Sequence, residues 1–367
     1  MTDERVERLA EVLIDYSTRV VENELVLING NYVAEPLMLA LYQRVLERGA
    51  HPMLRASIPA AEPILYRFAR DHQLEYVWEP DRWLSEHVDV GISIISDTNT
   101  RQLSRVDPER QIVRARARKP LMDTTTTRFS EGDYRWVLTL FPTEAHAMDA
   151  QMSLREYEDL YYASCFLDEP DPVAAWKELA ATHARMIEWM EGRSEVHLEG
   201  EGTDLTLAVG GRTFIAASGT ENLPDGEIFT GPHEDATRGH ITFTYPAIYG
   251  GQAVEGARLQ FDAGRVVDAG AIRNEDFLVK TLDTDPGARV LGELGIGTNY
   301  GLTDFTGEIL LDEKIGGTVH LALGSAYPET GGVNDSAIHW DMVCDLRRGG
   351  RITVDGDVLL EDGRLLI

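Results

Sequence analysis

The alternating segment Ala337-Ile338-His339-Trp340-Asp341-Met342-Val343 holds two residue types that bind divalent metal ions. In a strand, residues two apart face the same side, so His339 and Asp341 project together, ~6.5 to 7 Å apart at the backbone. An imidazole and a carboxylate converging at that separation suit borderline ions such as zinc, cobalt, manganese or iron(II). A polar, outward-facing pair on a half-buried strand explains the same pattern equally well. Upstream, His320 interrupts the apolar run Gly316-Gly317-Thr318-Val319-His320-Leu321-Ala322-Leu323-Gly324. A histidine in such a setting is more often a hydrogen-bonded core residue, but the glycines around it permit close approach to a bound group. Tyr327 can donate a hydrogen bond to a developing oxyanion, or simply lie against Pro328.

Two glutamates extend the set. Glu227 follows the turn Pro224-Asp225-Gly226, and Glu293 is the only charge in Leu291-Gly292-Glu293-Leu294-Gly295-Ile296-Gly297-Thr298-Asn299. A carboxylate buried in that second run must be paired, protonated or metal-bound. With 62 acidic residues in the chain, neither glutamate stands out alone.

At 367 residues the chain suggests two domains. Residues 1–193 read as an α/β domain with a doubly wound parallel sheet. Helices are expected over Arg5–Val20, Pro36–Arg48 and Ala61–His72, and strands over Leu25–Ile28, Met53–Ala56, near Tyr76, Val88–Ile95 and Arg135–Leu140. Asn29-Gly30-Asn31 reads as a turn, and Ser153–Glu191 as helix broken at Asp168–Pro172. Residues 194–367 read as a strand-rich α+β domain carrying the metal candidates. Asp355-Gly356 and Asp362-Gly363 there are hairpin signals. No Gly-x-Gly-x-x-Gly or phosphate loop follows the first strand, so nothing points to a nucleotide.

A net charge of -28 disfavours nucleic acid as a partner. Only Lys119, Lys177, Lys280 and Lys314 are lysines, and an acidic, lysine-poor chain suits concentrated salt, where screening removes self-repulsion. A halophilic source is therefore expected. The basic stretch Arg110–Lys119 reads as a solvated face more readily than as an anion site. Cys165 and Cys344 are isolated and read as buried apolar filler. No apolar run reaches the ~20 residues of a membrane span. Met1 to Arg8 lacks the basic-then-apolar order of a secretory signal, so a cytoplasmic protein is expected.

Taken in order, Gly226-Glu227-Ile228-Phe229-Thr230, Gly292-Glu293, His320-Leu321-Ala322-Leu323-Gly324 with Tyr327, and His339-x-Asp341 resemble the aminopeptidase T and aminopeptidase S family of dinuclear metallo-aminopeptidases. Phe141-Pro142-Thr143-Glu144 and Met152–Tyr157 extend the resemblance across nearly the whole chain. It implies that Glu227, Glu293, His320, His339 and Asp341 hold two divalent ions (zinc, cobalt or manganese). Tyr327 and Glu293 would be catalytic, a metal-bound hydroxide would attack, and short peptides would lose N-terminal residues. It also implies a homodimer, with helices Pro36–Arg48 and Ser153–Leu167 as candidate contacts. Gly324–Ser336 looks shorter than in the best-known members. One rival is a mononuclear iron(II) dioxygenase opening dihydroxypyridine-like rings through His320, His339 and Asp341. The other is a non-enzymatic metal-binding protein.

Overall fold

In the computed structural model, residues 3–367 are described; Met1 and Thr2, part of the N-terminal stretch read above, lie outside them. The chain forms two compact units. The first runs to Val173 and takes back Gly219–Leu223. Its sheet places His51–Ser57, Leu25–Asn31, Val90–Ile95, Arg135–Leu140 and Asn222–Leu223 side by side, all parallel. The second strand in chain order lies on one side of the first and the third on the other, as in a doubly wound sheet.

Two local expectations are corrected. Asn29-Gly30-Asn31 continues the first strand instead of turning, because pairing extends to Asn31↔Ser57 on one side and Gly30↔Ile94 on the other. No strand forms near Tyr76. Tyr76-Val77-Trp78 buries only Val77, leaving two exposed aromatics edge to face at 5.5 Å, and Trp78 precedes the helix Glu79–His87. The basic stretch lies on the helix Pro108–Glu131, none of whose residues is buried. Its Arg110 donates to the Tyr66 carbonyl at 2.8 Å, and Arg118 pairs with Asp81 at 3.1 Å.

The division falls at Val173–Ala174 rather than near Arg193. The helix Pro172–Met190, expected to close the first domain, sends Met186 and Met190 into the core of the second unit. That unit holds an eight-stranded antiparallel sheet, a two-stranded ribbon and a five-stranded antiparallel sheet. Both expected hairpins form, with Asp355 and Asp362 at φ 50° and 48° between Arg351–Val354, Asp357–Glu361 and Arg364–Leu365. Both cysteines are buried and lie outside any disulfide. Among the described residues no helix is long and apolar enough to cross a membrane.

Candidate metal centre

Four neighbouring strands of the five-stranded sheet carry the metal candidates. In spatial order they are His339–Asp345, Thr318–Gly324, Leu291–Gly297 and Glu227–Thr230. Glu293, Ala322 and Asp341 are register partners in one row, Gly295, His320 and Val343 in the next, and Gly297 pairs with Glu227. The period of two therefore places Glu227, Glu293, His320, His339 and Asp341 on one face. Small residues between them leave room for the long ones. A β-carbon at Gly295 would collide with the His320 ring, so only glycine lets that imidazole lie flat across the neighbouring strand. The other face presents Ile228, Leu294, Leu321, Trp340 and Met342 to the core.

The side chains converge. His320 Nε2 lies 3.1 Å from Glu227 Oε2 and 3.5 Å from Glu293 Oε1. His339 Nε2 lies 3.3 Å from Glu293 Oε2 and 3.4 Å from Asp341 Oδ2, while its Nδ1 donates to the Ser325 carbonyl at 2.8 Å. That donation fixes Nε2 as the nitrogen aimed into the site. Tyr327 sets its ring edge-on to His339 at 5.2 Å and against Phe229 at 5.5 Å.

Two residues not singled out from the sequence complete the cluster, and a third gains a role. Lys314, fully buried, donates to Glu227 Oε1 and to Glu313 Oε1, the latter at 2.7 Å, and lies 3.8 Å from Asp225 Oδ1. Glu313 gathers with His320 and Asp341 closely enough to share an ion. The sequence carried one hint, a rare lysine beside an apolar, glycine-rich run.

Without metal the site is strongly perturbed. Burial pushes the Glu227 carboxyl up, to about 8, against the pull of Lys314 and His320. Burial acts the same way on Glu293, but the attraction of His320 and His339 beside it outweighs burial and holds that carboxyl at about 2. The histidines respond in kind. Burial would lower both, yet the surrounding carboxylates raise His320 to about 10 and His339 to about 11. Burial and the nearby Glu293 and Asp341 raise the Tyr327 phenol, keeping it a neutral donor.

Such a site calls for a cation. Glu227 Oε2, both ring nitrogens of His320 and Asp341 Oδ1 are buried without a hydrogen-bond partner, although His320 Nε2 is within ion-pair distance of two carboxylates. Orphaned oxygens and imidazole nitrogens are the donor set of zinc, cobalt or manganese, so these residues fit the ions the sequence suggested. Three overlapping groups can each hold one: Glu227, Glu293 and His320; Glu293, His339 and Asp341; and Glu313, His320 and Asp341.

Comparisons with known proteins agree with this chemistry. A model of the thermophilic metalloprotease (M29) family matches residues 2–363. Aminopeptidase 2 of Geobacillus stearothermophilus is 28% identical over an alignment of 396 residues that covers 96% of this chain and 95% of that one. Aminopeptidase T of Thermus aquaticus is 32% identical, over 73% of this chain and 72% of its own. The solved structure of wild-type AmpT from Thermus thermophilus superposes over 99% of both chains with a TM-score of 0.83 at 21% identity, which shows the same fold.

Proposed function

Because the chain belongs to the thermophilic metalloprotease (M29) family, we propose that it is a dinuclear aminopeptidase in which Glu227, Glu293, His320, His339 and Asp341 would hold two divalent ions, Glu293 being common to two of the ligand groups. The observation that carries this reading is the double membership of that carboxylate. One oxygen of Glu293 faces His320 and the other faces His339, so it belongs both to the group with Glu227 and to the group with Asp341. Charge supports the count of two. Asp225, Glu227, Glu293, Glu313 and Asp341 bring five negative charges, Lys314 returns one, and the four left over match two divalent cations.

When bound, the ion pair supplies Lewis acidity, lowering the pKa of a coordinated water and polarising the scissile carbonyl. The protein's own groups do the rest. Tyr327, a neutral phenol beside His339, donates to the oxyanion that develops on that carbonyl. Glu313 has Oε1 on Lys314, and burial raises its carboxyl despite that lysine, which suits Oε2 to take the attacking water's proton and pass it to the leaving amine.

The rivals are not favoured. Among the described residues, every group able to hold an ion includes Glu293 or Glu313, neither of which a mononuclear triad of His320, His339 and Asp341 needs. Similarity to aminopeptidases further supports peptides as substrates; the homodimer is an expectation from the family resemblance alone, to be checked by light scattering. The deciding experiment measures metal per chain together with hydrolysis of leucyl-p-nitroanilide at high salt, in the intact protein and in Glu293→Ala. Two ions and activity, both diminished in the variant, are expected. One iron and no peptidase activity in either form would overturn the proposal.

A further inference from the structure

Three of the four lysines in this chain are exposed, and the fourth, Lys314, is sealed inside the metal centre. A lysine in the interior needs carboxylate partners to offset the loss of water, and Lys314 has three of them. Two of these bonds divide a carboxylate in half. Lys314 Nζ holds Oε1 of Glu227 while Oε2 faces His320, and it holds Oε1 of Glu313, whose group includes His320 and Asp341.

We propose that Lys314 is a positioning residue that restricts Glu227 to single-oxygen ligation of one ion and aims Glu313 at the reacting water. This inference rests on the dinuclear reading and deepens it. One ammonium spans two carboxylates that come from different parts of the chain, Glu227 opening a strand and Glu313 lying 86 positions later beside a short helix. Lys314 pairs with Asp225, Glu227 and Glu313, none of which belongs to the second group, Glu293, His339 and Asp341, so the direct effect of the lysine falls on one side of the site.

The test is a cobalt(II) titration of the chelator-stripped full chain, followed by visible absorbance and by competition with a chelator. It compares wild type with Lys314→Met and Lys314→Gln. The methionine variant removes both the charge and the donors, whereas glutamine keeps donors that can still bond both glutamates. Wild type should take two ions. In Lys314→Met one ion should bind as in wild type and the other about 10- to 100-fold more weakly, the usual cost of removing a partner that orients a ligand. Lys314→Gln should recover most of that loss, with kcat falling more than KM rises in the methionine variant because Glu313 is no longer aimed. Near-UV circular dichroism identifies the folded fraction; if methionine prevents folding, the comparison rests on Lys314→Gln, in which a smaller residual weakening should still fall on one ion alone. Equal weakening of both ions, or two ions bound as tightly as in wild type, would overturn the role of Lys314. A wild-type chain that takes up fewer than two ions would instead overturn the dinuclear reading on which it rests.

Discussion

The two faces of the five-stranded antiparallel sheet are built from alternate residues of the same strands, yet they are chemical opposites. Ile228, Leu294, Leu321, Trp340 and Met342 enter a continuous apolar core, while Glu227, Glu293, His320, His339 and Asp341 crowd their charges onto the other side. Carboxylates held this close repel one another, and only a stiff support keeps them converged without an ion. The apolar face supplies that support, and a slip of one residue in any of these strands would exchange the two chemistries. Function and stability should therefore separate by face, which mutations can test.

Glu293→Gln should have the largest effect. It removes the carboxylate common to two of the ion-holding groups, so kcat/KM should fall about 10³-fold or more, roughly 4 kcal/mol of transition-state stabilisation. Thermal stability of the metal-free variant should change little by comparison. A variant that unfolds while its folded fraction keeps full activity would break the separation. Leu321→Ala, one residue along from His320 and facing the core, should do the reverse. It should cost about 2 to 5 kcal/mol of stability by denaturant titration while the folded fraction still binds its metal.

The contrast between faces was legible in the sequence because it is a local pattern. Alternation in 337–343 and the lone charge at Glu293 survive without knowledge of the fold, as does the β-α order of the parallel sheet. Residues from turns have no period to betray them, and this is why Glu313 and Asp225 escaped notice. Burial of a residue type is equally uninformative. His183 is as buried as His320 but lies between the hydroxyls of Ser218 and Thr298 at 2.7 Å each, and burial lowers it to about 4. What separates the two histidines is the carboxylates around one of them, brought by strands distant in sequence. The helix Pro172–Met190 failed to mark the domain boundary for a related reason, since an amphipathic stripe does not say which core it will join.

Removing the metal should expose the charged face through pH. His320 and His339 are raised to about 10 and 11 in the metal-free fold, above the unfolded value of about 6.5. Their protonated forms stabilise that fold fully below about pH 6.5, and this contribution is lost as pH rises through 10 to 11. Glu227 acts in the same direction. Its carboxyl, raised to about 8, favours the fold below the unfolded value of about 4.5 and loses that advantage as pH climbs through 8. Chelator-treated protein should therefore melt several degrees lower at pH 9 than at pH 6, a shift that corresponds to roughly 1 to 2 kcal/mol. Ligation needs neutral imidazoles, so metal uptake at pH 7 should release protons, detectable by calorimetry in buffers of different ionisation enthalpy. Uptake without proton release would mean that the histidines are not ligands.

Salt should give the smallest effect and should divide buried charge from exposed charge. The net charge is -28, and ion pairs such as Arg238–Glu195 and Lys119–Asp123 lie open to solvent. Raising ionic strength from about 0.1 to 1 M shortens the Debye length from about 10 to about 3 Å, which weakens these pairs but relieves the larger repulsion among unpaired carboxylates. The second effect should win, because acidic residues outnumber basic ones by 62 to 34. We expect the thermal midpoint to rise with potassium chloride by a gain of about 1 kcal/mol, while metal occupancy stays constant because charges sealed beside Lys314 are barely screened. A midpoint that is flat or falls with salt would remove the halophilic reading. Salt-dependent loss of metal would show that water reaches the charged face, and that its separation from the surface is incomplete.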